Sequence, residues 1–257
     1  MPLSFYPAVV YATAPGPAVT LKYKYVPGQV QRYKLHTSID TTLAPARPGS
    51  PPTSNVTQDM VFKQTVLKVR VSDGAATSRG EIEEYHIFSN GKETGLPFPA
   101  SAQMKKPYTV ISLPNGKVLS IDDVGMPKGL ISTFPLHPLK VGESWSEAVT
   151  TALGGESGLE TNTFTGYDIT GGGRRAIIQQ KINRKITKAV AGGTGIPQVM
   201  AGTTTGDETL VFDLTTGTIS RLASVTTLDL RLGTTTLRQR FQVTLTRLED
   251  AKKSVSQ

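Results

Sequence analysis

From Gln31 to Leu43 the chain alternates without a break. Tyr33, Leu35, Thr37, Ile39, Thr41 and Leu43 fall on one side, and Arg32, Lys34, His36, Ser38 and Asp40 fall on the other. A period of two sustained over a dozen residues is the pattern of a strand with one wet face. Similar runs recur at 60–71, 78–89, 108–113, 117–121, 159–170, 176–190, 203–214, 218–232 and 236–248, and 19–26 carries a shorter strand signal. In 176–190 the apolar parity is Ala176, Ile178, Ile182 and Ile186, and in 236–248 it is Leu237, Phe241, Val243 and Leu245. No window sustains a period of 3.6, so a helical domain is excluded by pattern.

The connections are short. Pro27-Gly28, Asp73-Gly74 and Asn90-Gly91 are turn signals, and Pro114-Asn115-Gly116 predicts a hairpin with a type I′ turn. Consecutive hairpins give antiparallel neighbours, because parallel pairs need long crossovers. The expected fold is all-β: a large curved antiparallel meander of about ten to twelve strands, as a half-barrel or as two packed sheets. Residues 1–18 read as an N-terminal arm and 19–250 as a single β domain. Within that domain lies a Pro-rich packing segment near 130–145, and 251–257 is a polar tail. The start of the chain ends an apolar stretch in Ala-x-Ala, but lacks the basic flank of a secretion signal, which favours an arm. No stretch has the roughly 18 apolar residues of a helical membrane span, so no transmembrane segment is expected.

At three places the chain resembles a family of exported bacterial β-proteins of unknown function, many of them lipoproteins. The first is Tyr23, Tyr25, Pro27 and Gly28, and the second is Phe134, Pro135, Pro138, Val141, Gly142, Ser144 and Trp145. The third is Phe212, Asp213 and Gly217. The resemblance runs from about residue 19 to 248. It implies an extracytoplasmic location and a curved antiparallel sheet like that of periplasmic lipoprotein carriers, and it implies no catalytic residues.

Composition narrows the chemistry. The 257 residues contain no cysteine, which removes disulfides, zinc–thiolate and iron–sulfur sites and thiol nucleophiles. His36, His86 and His137 lie about fifty residues apart, without metal-ligand spacing, and no cofactor motif is present. Glu84 and His86 share a strand parity, but a solvated strand face explains them. Catalysis would need one of these histidines to meet a carboxylate inside a cleft. A non-enzymatic binding protein is therefore the expectation.

Two surfaces could bind. Phe134, Leu136, Leu139 and Trp145 could line an apolar groove for a lipid-like ligand. The formal charge of +8 also predicts a basic face, with Arg32, Lys34, Arg174, Arg175, Arg184, Lys185, Arg238 and Arg240 as candidates for an anionic polymer. Only 7% of residues are aromatic, too few between the basic side chains to stack bases, which argues against nucleic acid. The alternative is a self-assembling surface or filament subunit. In that reading Leu3, Phe5, Tyr6, Val9, Val10 and Tyr11 of the arm would add to a neighbour's sheet.

Overall fold

The computed structural model describes residues 17–45, 53–95, 106–122, 132–150, 156–168, 174–191 and 197–249. The arm candidates Leu3, Phe5, Tyr6, Val9, Val10 and Tyr11, and the polar tail, lie outside the described residues. Among the described residues twelve strands form one antiparallel sheet that does not close into a barrel. They are β1 (Val30–Ala44), β2 (Thr53–Val69), β3 (Ala76–Ser89), β4 (Lys92–Thr94), β5 (Tyr108–Ser112) and β6 (Val118–Ile121), followed by β7 (Ser144–Thr150), β8 (Glu156–Asp168), β9 (Arg175–Ala191), β10 (Pro197–Asp213), β11 (Thr218–Leu232) and β12 (Thr235–Leu248). Their order is β6-β5-β3-β2-β1-β12-β11-β10-β9-β8-β7, with β4 paired to β3 beside this path. Each half is a meander. The halves join where the first strand pairs with the last, from Arg32 opposite Leu248 to Ala44 opposite Thr236.

The alternation seen in the sequence becomes one continuous face. Tyr33, Leu35, Ile39 and Leu43 of β1 stand beside Phe62, Met60 and Val56 of β2 and beside Leu245, Phe241 and Leu237 of β12. The rows continue through Leu222 and Leu210 to Ile178 and Phe164. At the end of the strands nearest Tyr33 these side chains are buried and form the core. We call this the inner face.

Two segments fill that end of the inner face as a plug, residues 19–25 and 132–145. Residues 19–26 are not the expected strand. They make only an isolated bridge, Val19 with Leu139, because Leu21, Tyr23 and Tyr25 turn into the core while Lys22 and Lys24 stay exposed. A plug segment packed on one side alternates just as a strand does.

The plug also shows that the sheet curls. Six strand spacings separate β5 from β10, about 29 Å across a flat sheet. Yet the backbone N–H of Tyr23 donates to Pro114 O at the β5–β6 turn (2.7 Å), while its ring sits 5.2 Å from that of Phe212 on β10. Phe134 bridges the same gap, from Asn115 O (2.7 Å) to the Phe212 ring (4.9 Å). One residue can touch both only if the strands wrap around it. Register shifts at Val61/Phe62, Phe164/Gly166 and Val211/Phe212 lie at this end and add the local bend that bulges supply. Farther along, Gly202 and Gly206 let β10 press against β11. A Cβ there would meet the carbonyl oxygens of Asp229 and Val225 at 2.1 and 2.4 Å.

The hairpin signals divide by the residue that precedes them. Asn90 and Gly91 both have positive φ (49° and 78°) and make the two-residue turn between β3 and β4. At Pro114-Asn115-Gly116 the expected type I′ turn does not form. Gly116 N–H bonds to Leu113 O (2.8 Å), which places Pro114 at a position where its ring enforces negative φ, and only Gly116 goes positive (90°). The result is a longer loop whose Asn115 docks the plug.

Candidate functional site

Beyond the plug the inner face is divided by chemistry. On β2, β1, β12 and β11 it carries Ile39, Leu43, Val56, Leu228, Leu230, Leu237 and Phe241, all only half-buried. On β7 to β10 it carries a polar group. Gln180 donates to Glu160 (3.2 Å) and to Asn162 (3.1 Å), and Arg184 pairs with Glu160. Glu160 and Asn162 are buried, at 8% and 3% exposure. Glu147 stands directly opposite Glu160 across β7 and β8, and Glu208 sits on β10 opposite Gln180. Burial, reinforced by the Glu160 charge, pushes the Glu147 carboxyl up to about 7. Burial and Glu160 likewise raise Glu208 to about 7, with Arg184 pulling the other way. None of these carboxylates stands out in the sequence. The available signal is parity, since Glu160 shares that of Phe164, and Glu208 shares that of Leu210 and Phe212.

Of the four residues expected to line an apolar groove, Phe134, Leu139 and Trp145 come together at the core and Leu136 does not join them. Phe134 and Leu139 are core side chains, 2% and 1% exposed, whereas Leu136 points into solvent at 84%. Trp145 is half-buried. Its indole donates to Thr133 O (3.2 Å) and its ring packs edge-on to Phe134 (6.5 Å). Pro135 and Pro138 flank the exposed Leu136, so the chain loops out between its two buried anchors.

The expected basic face is dispersed as well. Arg184 is on the inner face with Glu160, while its neighbour Lys185 faces out, as period two requires. On the outer face Arg32 pairs with Glu83 (2.7 Å) and Arg238 with Asp229 (3.4 Å). Arg175 lies 3.7 Å from Asp168, and Arg174 stacks over the Tyr167 ring (4.2 Å) while bonding its hydroxyl (2.7 Å). Lys34 and Arg240 stand exposed on the outer face, but on different neighbourhoods of the sheet.

Each histidine meets a carboxylate: His36 with Asp59 (2.9 Å), His86 with Glu93 (2.7 Å) and His137 with Glu143 (3.3 Å). His86 lines an open outer-face groove of about 400 Å³ with Lys34, Asp59, Glu84, Phe88 and Glu93. The hydrogen bond that the protonated His86 ring donates to the Glu93 carboxylate raises the His86 pKa, so this pair can take up or release a proton. Both partners are more than half exposed, at 52% and 60% of the side chain, so water competes for every contact they make. Among the described residues no group of three His, Asp or Glu side chains is placed to hold a metal ion, and no helix is long and apolar enough to cross a membrane.

Comparison with protein-family models and with curated proteins finds no match to the chain.

Proposed function

We propose that this protein is a non-enzymatic, extracytoplasmic binding protein that takes an amphiphilic, lipid-like ligand along the inner face of its sheet. The observation that carries the reading is the split of that face. Half-buried aliphatic and aromatic rows on β2, β1, β12 and β11 suit an acyl chain, and the Glu147–Glu160–Gln180–Arg184–Glu208 group beside them suits a hydrogen-bonding head. These rows are only half-buried, so they still offer apolar surface to a ligand. The extracytoplasmic location rests on the resemblance in the Tyr-x-Tyr-x-Pro-Gly and Phe-Pro-x-x-Pro segments. An anionic polymer is the poorer ligand, because Arg32, Arg175 and Arg238 are already matched by carboxylates.

The test is titration of the protein with a lysophosphatidylethanolamine carrying a fluorescent acyl chain. Saturable binding is expected, weakened at least tenfold by Ile39→Glu and Phe241→Glu and unchanged by the outer-face variant Arg240→Glu. Absence of binding, or equal loss in all three variants, overturns the reading.

A further inference from the structure

The polar group on the inner face is short of positive charge. Glu147 and Glu160 face each other across β7 and β8, an arrangement that opposes pairing when both are ionised. Glu208 lies on β10 opposite Gln180, within electrostatic reach of Glu160, and Tyr23 of the plug feels the Glu208 charge in turn. Arg184 of β9 is the cation in contact, and it is engaged with Glu160; Asn162 and Gln180 add only neutral hydrogen-bonding groups. Glu160 and Glu208 therefore share the Arg184 guanidinium, whereas Glu147 meets the Glu160 charge across the strand pair. The strand that carries Glu147 is also the last of the sheet, and among the described residues its only strand partner is β8.

What β7 holds gives this arrangement a consequence. Trp145 lies two residues before Glu147 on the same strand face, and it pins the plug by its bond to Thr133 O and its contact with Phe134. We propose that protonated Glu147 keeps β7 seated against Glu160 of β8, and that its ionisation frees β7 together with the Trp145 end of the plug, exposing the end of the inner face that the plug covers as the pH rises.

The sign follows from burial. The Glu147 carboxyl is raised from an ordinary 4.5 to about 7. A group with a raised folded pKa contributes fully below its unfolded value and loses that contribution as the pH passes the folded one. The closed strand is thus favoured at pH 5 and weakened by pH 8. Raising a carboxyl pKa by one changes the opening equilibrium at most tenfold; the rise of about 2.5 at Glu147 sets a larger ceiling, and because that side chain is only half-buried, solvent screening brings the expected effect down to about tenfold.

This inference concerns the same inner face as the proposed function, but its test uses ligand-free protein, so either can fail alone. Trp145 is the sole tryptophan, and its emission and acrylamide quenching report the plug directly. Between pH 5 and 8 we expect a red shift and more quenching. The change should vanish in Glu147→Gln and persist in His137→Gln, whose ring lies in the plug beside Glu143. A flat wild-type profile, or one retained in Glu147→Gln, overturns the proposal. Should Glu147→Gln fail to fold, hydrogen exchange on the wild type decides. After correction for intrinsic rates, protection of β7 should fall about tenfold while β1 and β12 hold; unchanged or uniform protection overturns it.

Discussion

Replacing Phe134 by alanine tests whether 132–145 is a structural plug or a movable cover over an apolar groove. Phe134 is 2% exposed, and its ring contacts Tyr23 (5.5 Å, stacked), Phe212 (4.9 Å, edge-on) and Trp145 (6.5 Å, edge-on). Removing a buried phenyl costs about 3–5 kcal/mol, the upper part of that range applying where neighbours cannot collapse into the space. Here Tyr23 is held by bonds from its backbone to Pro114 and from its hydroxyl to Ser132 O (3.3 Å), and Phe212 is fixed in a strand, so collapse is restricted. We expect a loss of about 4 kcal/mol. In urea denaturation, at an m-value of about 3 kcal/mol/M, that lowers the midpoint by more than about 1 M. Leu136→Ala is the internal control. At 84% exposure it should shift the midpoint by no more than about 0.5 kcal/mol allows. A Phe134→Ala loss below about 1 kcal/mol would contradict the plug, since a side chain so enclosed could then be removed without leaving a cavity.

Two further outcomes follow, the first from the structure and the second from the binding reading. Gly206→Ala should destabilise by about 1–3 kcal/mol in thermal or urea melts, because its Cβ would sit 2.4 Å from the Val225 carbonyl oxygen and two strands must separate to admit it; a neutral result would mean that the sheet is not tightly coiled there. Deleting residues 1–16 should leave the oligomeric state in sedimentation unchanged, and dissociation on truncation would point instead to assembly through the arm.

Much of the sheet is legible in the sequence because alternation and exposure are the same fact seen twice. Tyr33 to Leu43 can be assigned to one face from their alternation alone, and they form that face. Two strands are hidden. β4 is three residues long, too short for a period, and β7 masks its period by placing Glu147 on the parity of Trp145. The seam between β1 and β12 joins residues two hundred apart, and no local pattern encodes such a pairing. The site is less legible for two reasons. Parity tells which residues of one strand share a face, but not which face is inside. A list of basic residues therefore groups Arg184 with the outward Lys185, although adjacent strand residues must diverge. Nor does a single strand reveal which charges are matched across the sheet: Glu83, Asp229 and Asp168 reach their arginines only after folding.

If ligand lies on the half of the inner face left open by the plug, a lysolipid with a photoreactive acyl chain will mark that half. It would be activated on the protein and the adducts mapped by peptide mass spectrometry. Adducts are expected on inner-face positions of β1, β11 and β12, at or beside Ile39, Leu228, Leu237 and Phe241, with their loss in Phe241→Glu. Adducts confined to the outer groove around Lys34, His86 and Phe88 would contradict inner-face binding.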